Sequence, residues 1–215
     1  SNTTLPTVSG LILDTNGTAF PAHGAALHRT ADGQNWLLVA SNTRGLKILS
    51  LANPALPVVR ATYDTPGNAK DVSVSSDGRY AYVADFGSGM QIVDISNILL
   101  PKYAGQFLAP SDGPAEKSTY MLTSNNRRLA LIAWSLTAPH IKIIDVTSVN
   151  ADGIVQPRQL YTLPTFARAG VFGNYAVVPA SSFGLLFYDL LPAVSTQPSA
   201  PVERHRVYTP GSAPS

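Results

Sequence analysis

The chain has 215 residues, no cysteine and a formal net charge of +2. Disulfides, thiol catalysis and thiolate metal sites are therefore excluded, and no Lys/Arg run exceeds the pair Arg127-Arg128, which leaves no electrostatic footprint for nucleic acid. Apolar residues make up 45% of the chain against 13% charged, enough to bury a core, yet no apolar run reaches the ~20 residues of a membrane-spanning helix.

Taken in chain order, the first apolar segment is LILD at 11–14, expected as an N-terminal strand within residues 1–22. ALHR and WLLVA follow, separated by the turn signal TADGQN; then come SNTRG, LKILS, the Pro-bearing link ANPALP and VVRATY. The same order returns. In residues 67–107, GNAKDVSVS alternates Val72 and Val74 with Ser73 and Ser75, the period of a strand with one buried face. SDGR turns the chain, with Gly78 free to take positive φ. YAYVA, the turn DFGSG, MQIVD, the link SNILLP and KYAGQF complete the unit, with strands expected at 67–75, 80–84, 89–95 and 101–107.

The inner motif occurs four times, beginning at Trp36, Tyr80, Leu129 and Tyr175, with spacings of 44, 49 and 46 residues. That period belongs to the blades of a propeller. Pro in the link after each third strand suits an outer edge strand, where a missing N–H costs no ladder bond. No segment shows a helical period with caps. The chain therefore reads as all-β, a single β-propeller domain over 1–215 made of four-stranded antiparallel blades. The repeat units are 23–63, 67–107, 115–162 and 166–207, with 1–22 supplying a strand of a preceding or closing blade. A four-stranded meander cannot bury both faces alone but can when set radially beside copies of itself. The pattern is compatible with a closed four-bladed ring and with part of a larger propeller.

YVADFGSGMQIVDIS, preceded by YDTPGNAKDVSVS, resembles the LVIVD-repeat β-propellers, whose repeat runs from a YVAD strand through a Gly-rich turn to an LxIVDVS strand, a Pro-containing link and a TPG-type loop. MQIVDI at 90–95 and IKIIDV at 141–146 match best; LKILSL and LLFYDL are degenerate. SSDGRYAYVA is also similar to the neighbouring YVTN-type repeats. The resemblance implies a propeller, and a surface or exported protein, more than it implies any activity.

Several residue sets could carry chemistry. His23, His28, His140 and His205 form no HxH or HExxH pattern, so no metal site and no cofactor is expected. Asp94, Asp145 and Asp189 end their third strands, with Ser50 in that place in the first unit; a repeated strand-end carboxylate is expected to accept N–H groups from the following turn. Nucleophile-elbow and phosphate-loop patterns are absent. Around the central funnel the sequence offers Lys70, Asp71, Asp112, Glu116, Lys117 and Arg168, without catalytic spacing. The second-to-third-strand loops SNTRG, DFGSG, WSLTAPH and SSFG are expected to be free of ladder bonds. They carry Arg44, Phe86, Trp134 and Phe183, residue types of protein-binding hot spots.

The expectation is thus a non-catalytic propeller scaffold that contacts a protein partner through Arg44, Phe86, Trp134 and Phe183, outside the cytoplasm (periplasmic, secreted or cell-surface). Two alternatives stand beside it: a structural subunit of a surface layer, filament or membrane-associated complex, and a hydrolase or lyase using the funnel.

Overall fold

The computed structural model describes residues 18–122, 126–134, 140–163, 169–179, 184–192 and 199–207. The expected strand LILD and the contact residue Phe183 lie outside them, as does Arg168 of the funnel.

Among the described residues sixteen strands form four antiparallel meanders, each with its strands side by side in chain order. Blade 1 holds β1 (Gly24–Arg29), β2 (Asn35–Ala40), β3 (Leu46–Ser50) and β4 (Val58–Tyr63). Blade 2 holds β5 (Asp71–Val74), β6 (Tyr80–Ala84), β7 (Met90–Asp94) and β8 (Lys102–Phe107). Blade 3 holds β9 (Ala115–Leu122), β10 (Arg128–Trp134), β11 (His140–Asp145) and β12 (Arg158–Leu163). Blade 4 holds β13 (Gly170–Phe172), β14 (Tyr175–Pro179), β15 (Leu185–Asp189) and β16 (Val202–Val207). A 3-10 turn, Pro110–Asp112, lies between β8 and β9.

The blades stack face to face, and the innermost strands meet in the order β1, β5, β9, β13. Three apolar cores separate the four sheets. Trp36, Leu38 and Ile48 of blade 1 pack on Ala81, Val83 and Val93 of blade 2. Tyr80, Tyr82 and Ile92 of blade 2 pack on Ala130, Ile132 and Ile144 of blade 3. Leu129, Leu131 and Ile143 of blade 3 pack on Ala176, Val178 and Leu186 of blade 4. Alternate residues of each central strand thus feed different cores. This explains why YAYVA and MQIVD read as unbroken apolar runs: all ten residues are buried because both faces are covered.

That arrangement corrects one expectation. Ser73 and Ser75 lie on a buried face as well, 7% and 3% exposed. Ser75 is satisfied locally: its hydroxyl accepts the Tyr80 N–H and donates to Asp77 in the turn. β5 is also shorter than expected: Ala69 bridges to Asn42 of blade 1, and only from Lys70, whose N–H donates to the Ala84 carbonyl of β6, does the segment bond within blade 2.

Two further devices recur or intrude. In each blade the pairing of third with fourth strand slips once at the same place, between Ile48/Leu49, Ile92/Val93, Ile143/Ile144 and Phe187/Tyr188. And the long link after β11 folds back onto blade 2, where Val155 is buried and its N–H donates to the Ala104 carbonyl at 2.7 Å.

Candidate functional site

The strand-end acids have the structural role their position suggests. Asp94, Asp145 and Asp189 accept the N–H two residues ahead, from Ser96, Thr147 and Leu191, at 2.9, 3.0 and 3.0 Å. Ser50 does the same with Ala52 at 3.3 Å. Each acid also meets an arginine: Arg79 for Asp94, Arg127 and Arg158 for Asp145, and Arg204 for Asp189.

The first two loops between second and third strands are not free of ladder bonds, contrary to expectation, while most of WSLTAPH and SSFG lies outside the described residues. Loops 41–45 and 85–89 have one geometry, closed by Ser41 N–H to the Gly45 carbonyl and Asp85 N–H to the Gly89 carbonyl. Their second residues, Asn42 and Phe86, both take left-handed backbone at φ 53° and 51°. That conformation turns the peptide toward the next blade. Asn42 exchanges two backbone bonds with Ala69, and Phe86 exchanges two with Ala115. The loop side chains are therefore mounted on an inter-blade seam.

At the seam between blades 1 and 2 the two ends of the repeat motif hold each other. The Thr65 hydroxyl donates to Asp85 Oδ1 at 2.7 Å, and the Gly67 N–H donates to Asp85 Oδ2 at 2.8 Å. Asp85 is fully buried; burial pushes its carboxyl above the ordinary 3.8, opposed by those two bonds. Gly67 is required here because a Cβ would lie 2.3 Å from the Asp85 carbonyl oxygen.

At the next seam the equivalent position carries a different side chain. Trp134 stands in blade 3 where Asp85 stands in blade 2, at the end of the second strand. An apolar cleft of about 460 Å³ opens here among Phe86, Leu108, Pro110, Pro114 and Trp134. Trp134 is fully buried, with its ring edge-on to Phe107 at 6.1 Å between centroids. Among the described residues its indole N–H has no hydrogen-bond partner, an unusual cost for a buried donor. Phe86 is half-buried at the rim with the Lys70 ammonium 5.0 Å from its ring centroid. Leu108 is exposed.

Of the expected contact residues, Phe86 and Trp134 are thus brought to one cleft, Trp134 as its buried wall. Arg44, half-buried, belongs to the loop of the preceding seam. Leu108 was not singled out; its signal was an exposed-type link, LAPSDGP, that carries a large apolar residue. Of the funnel residues, Asp71 is buried and accepts the Ser118 N–H at 3.1 Å, and Lys70 is turned toward Phe86. Among the described residues no group of three His, Asp or Glu could hold a metal ion. A larger groove, about 1620 Å³, opens on the opposite face between the turns of blades 1 and 2. Its acids Asp32 and Asp77 are already engaged within their own turns.

Residues 66–108 match the LVIVD repeat model. Comparison with curated proteins finds no match. Among solved structures the chain is similar to Kuenenia stuttgartiensis hydrazine synthase (14% identity, TM-score 0.51, covering 80% of this chain and 45% of that one). It is similar to a putative 6-phosphogluconolactonase from Bacteroides fragilis (14%, 0.55, 84% and 54%). It is also similar to the β-propeller domain of Myceliophteria thermophila Cps50 (Swd1) (12%, 0.54, 90% and 61%). This chain spans about half to three-fifths of the length of those chains, and at such identities the likeness concerns the fold. The chain carries the LVIVD repeat in its second blade, between neighbours built as blades of the same β-propeller fold.

Proposed function

We propose that this chain is a protein-binding propeller module, without catalytic machinery of its own, whose contact surface is the cleft between the loops of blades 2 and 3. One observation supports the reading above the others. Blade 2 holds its seam with blade 1 shut with Asp85, Thr65 and Gly67, and at the following seam Trp134 stands in the place of the acid and an apolar cleft appears. The residue at this position differs in every unit, Ser41, Asp85, Trp134 and Ala180, and on a repeat scaffold such side chains, not the fold, make a specific site. Phe86 at the rim and exposed Leu108 offer apolar contact, while Pro110 and Pro114 keep the walls preorganised, which lowers the entropy lost on binding. The ligand that fits is an apolar peptide segment. The cysteine-free composition suits work outside the cytoplasm as well as inside it, and the resemblance to exported propellers favours outside. Among the described residues no helix is long and apolar enough to cross a membrane.

The test is selection of peptides from a display library on the purified protein, repeated with Leu108→Lys and Phe86→Ala. Enriched peptides are expected to carry a bulky apolar anchor and to lose about tenfold or more in affinity for either variant. Peptides that bind both variants as well as the parent would overturn the reading.

A further inference from the structure

Two neighbouring seams differ at their turn ends. Between blades 2 and 3, Arg128 at the start of β10 reaches back to Asp77 in the β5–β6 turn, at 3.3 Å. The equivalent residues one blade earlier are Arg79 and Asp32. The Arg79 and Arg128 carbonyls accept corresponding N–H groups, from Ile95 and Val146, and Asp32 and Asp77 both accept the hydroxyl two residues before them, from Thr30 and Ser75. Among the described residues the earlier pair is not made. Arg79 turns to Asp94 of its own blade at 3.8 Å and lies over the Tyr80 ring, while Asp32 accepts the backbone and side-chain N–H groups of Gln34. The groove of about 1620 Å³ opens at this seam.

Its lining is apolar below and cationic above. Val74 and Ile98 are half-buried against the core of Trp36 and Ile95. Leu56 and Leu99 line it from the two Pro-bearing links, 67% and 47% exposed. Each link is fixed by an asparagine: Asn53 Oδ1 accepts the Ala55 N–H, and Asn97 Oδ1 accepts the Leu99 N–H. The lining cations Arg29, Arg60 and Arg79 are all exposed. Among the described residues neither Arg29 nor Arg60 has an ion-pair partner. The lining acids do not answer them, because Asp77 pairs with Arg128 and Asp32 is held in its own turn.

We propose that this groove binds an acidic peptide segment, one in which carboxylates flank a bulky apolar residue, at a site separate from the cleft between blades 2 and 3. Size argues for a peptide: pockets for small molecules hold about 300–1,000 Å³, and this groove is larger. Charge argues for carboxylates. A guanidinium takes a carboxylate through two parallel N–H···O bonds, and cations without partners beside an apolar floor both attract such a segment and fix its register. A ligand carboxylate beside Arg79 supplies the counter-charge that Asp32 does not. The apolar residue of the segment then covers Val74 and Ile98, with Leu56 and Leu99 on either side of it.

The test is selection from a displayed random-peptide library on the purified protein at low salt, followed by calorimetric titration of the enriched peptides. Peptides with Asp or Glu beside a bulky apolar residue are expected. They should lose about tenfold or more in affinity for Arg60→Glu and for Leu56→Asp, and weaken as sodium chloride is raised. Lys117→Glu makes the same change of net charge at an exposed cation of blade 3 outside the groove, and is expected to bind them as the parent does. All three side chains are exposed, so the fold should hold; circular dichroism melting checks this. Acidic peptides that bind Arg60→Glu and Leu56→Asp as well as the parent overturn the proposal, and so does an equal loss for Lys117→Glu. A selection that yields only peptides sensitive to Leu108→Lys and Phe86→Ala overturns it and leaves the other cleft standing. Protein that enriches no acidic peptide but sediments with phosphatidylserine vesicles assigns these arginines to a lipid surface and overturns it likewise.

Discussion

The hydroxyl of Thr65 and the carboxylate of Asp85, twenty residues apart in the chain, meet at 2.7 Å inside the seam between blades 1 and 2. The Gly67 N–H completes the clasp. A single acid therefore ties the fourth strand of one blade to the central strands of the next. Its removal strands one buried donor, the Thr65 hydroxyl, and one part-buried donor, the Gly67 N–H, at a cost of about 1–3 kcal/mol for a buried one. Asp85→Ala is expected to destabilise the chain by about 2–4 kcal/mol in urea unfolding. Thr65→Val, which leaves the Gly67 bond in place, is expected to lose less. Equal stability of Asp85→Ala and the parent would remove the clasp from the account.

Asp85 also gives the protein a pH dependence of definite sign. Burial holds its carboxyl above the ordinary 3.8. Between the ordinary and the raised value the folded state binds more protons than the unfolded chain, so this residue's contribution falls as pH rises through that window and is flat above it. Unfolding free energy measured from acid to neutral pH, parent minus Asp85→Asn, is expected to decline across the window. A difference that grows with pH contradicts the assignment.

Gly67→Ala places a methyl 2.3 Å from a backbone oxygen, whereas a Cβ at Gly87 meets nothing within 4 Å. The first substitution is expected to cost about 2 kcal/mol or more through backbone displacement. The second is expected to change stability by less than about 1 kcal/mol in the same measurement.

Much of this fold was legible because the chain states it four times. Turn residues such as Asp77-Gly78, the Pro-bearing links and the strand-end acids each have a local cause that a sequence carries on its surface. The seams were harder. Nothing local marks Asn42 and Phe86 as left-handed residues bonded to the following blade, since their partners lie 27 and 29 residues on. Ser73 and Ser75 misled for a related reason: alternation reports one buried face only when the other meets water, and here it meets blade 1 or blade 3. Trp134 could be counted as an aromatic in a loop, but its burial follows from standing in Asp85's place.

The strand-end position allows a graded test. Asp145 accepts the Thr147 N–H and contacts two arginines, while Ser50 accepts one N–H. Asp145→Ala is expected to cost about 1–3 kcal/mol and Ser50→Ala under about 1 kcal/mol. Ser50→Asp gains little, because Asn35 occupies the place of Arg79 in that blade. Thermal or urea unfolding of the three variants checks the order.

The cleft separates packing from recognition. Trp134→Ala is expected to cost about 3–5 kcal/mol as a buried ring is lost. Trp134→Phe removes the unpartnered N–H with most of the ring area kept, and is expected to cost under about 1.5 kcal/mol. Phe86→Gly relieves a left-handed residue and is expected to hold stability within about 1 kcal/mol, while peptide binding falls. If it unfolds the chain instead, Phe86 is packing and not a contact.

The slip that recurs between third and fourth strands has a bearing on what this molecule avoids. β4, β8, β12 and β16 are the outer strands of their blades, where a bare rim is a template for foreign strands; β8 is covered in part by Val155, whose N–H donates to the Ala104 carbonyl. A bulge twists each rim out of the flat register that a templated strand needs, and Arg60, Lys102, Arg158 and Arg204 stud the same strands with charge. Association through strand addition is thereby disfavoured all around the periphery. Contacts with other molecules are left to loops and sheet faces, where side chains, and not bare peptide groups, decide what is admitted.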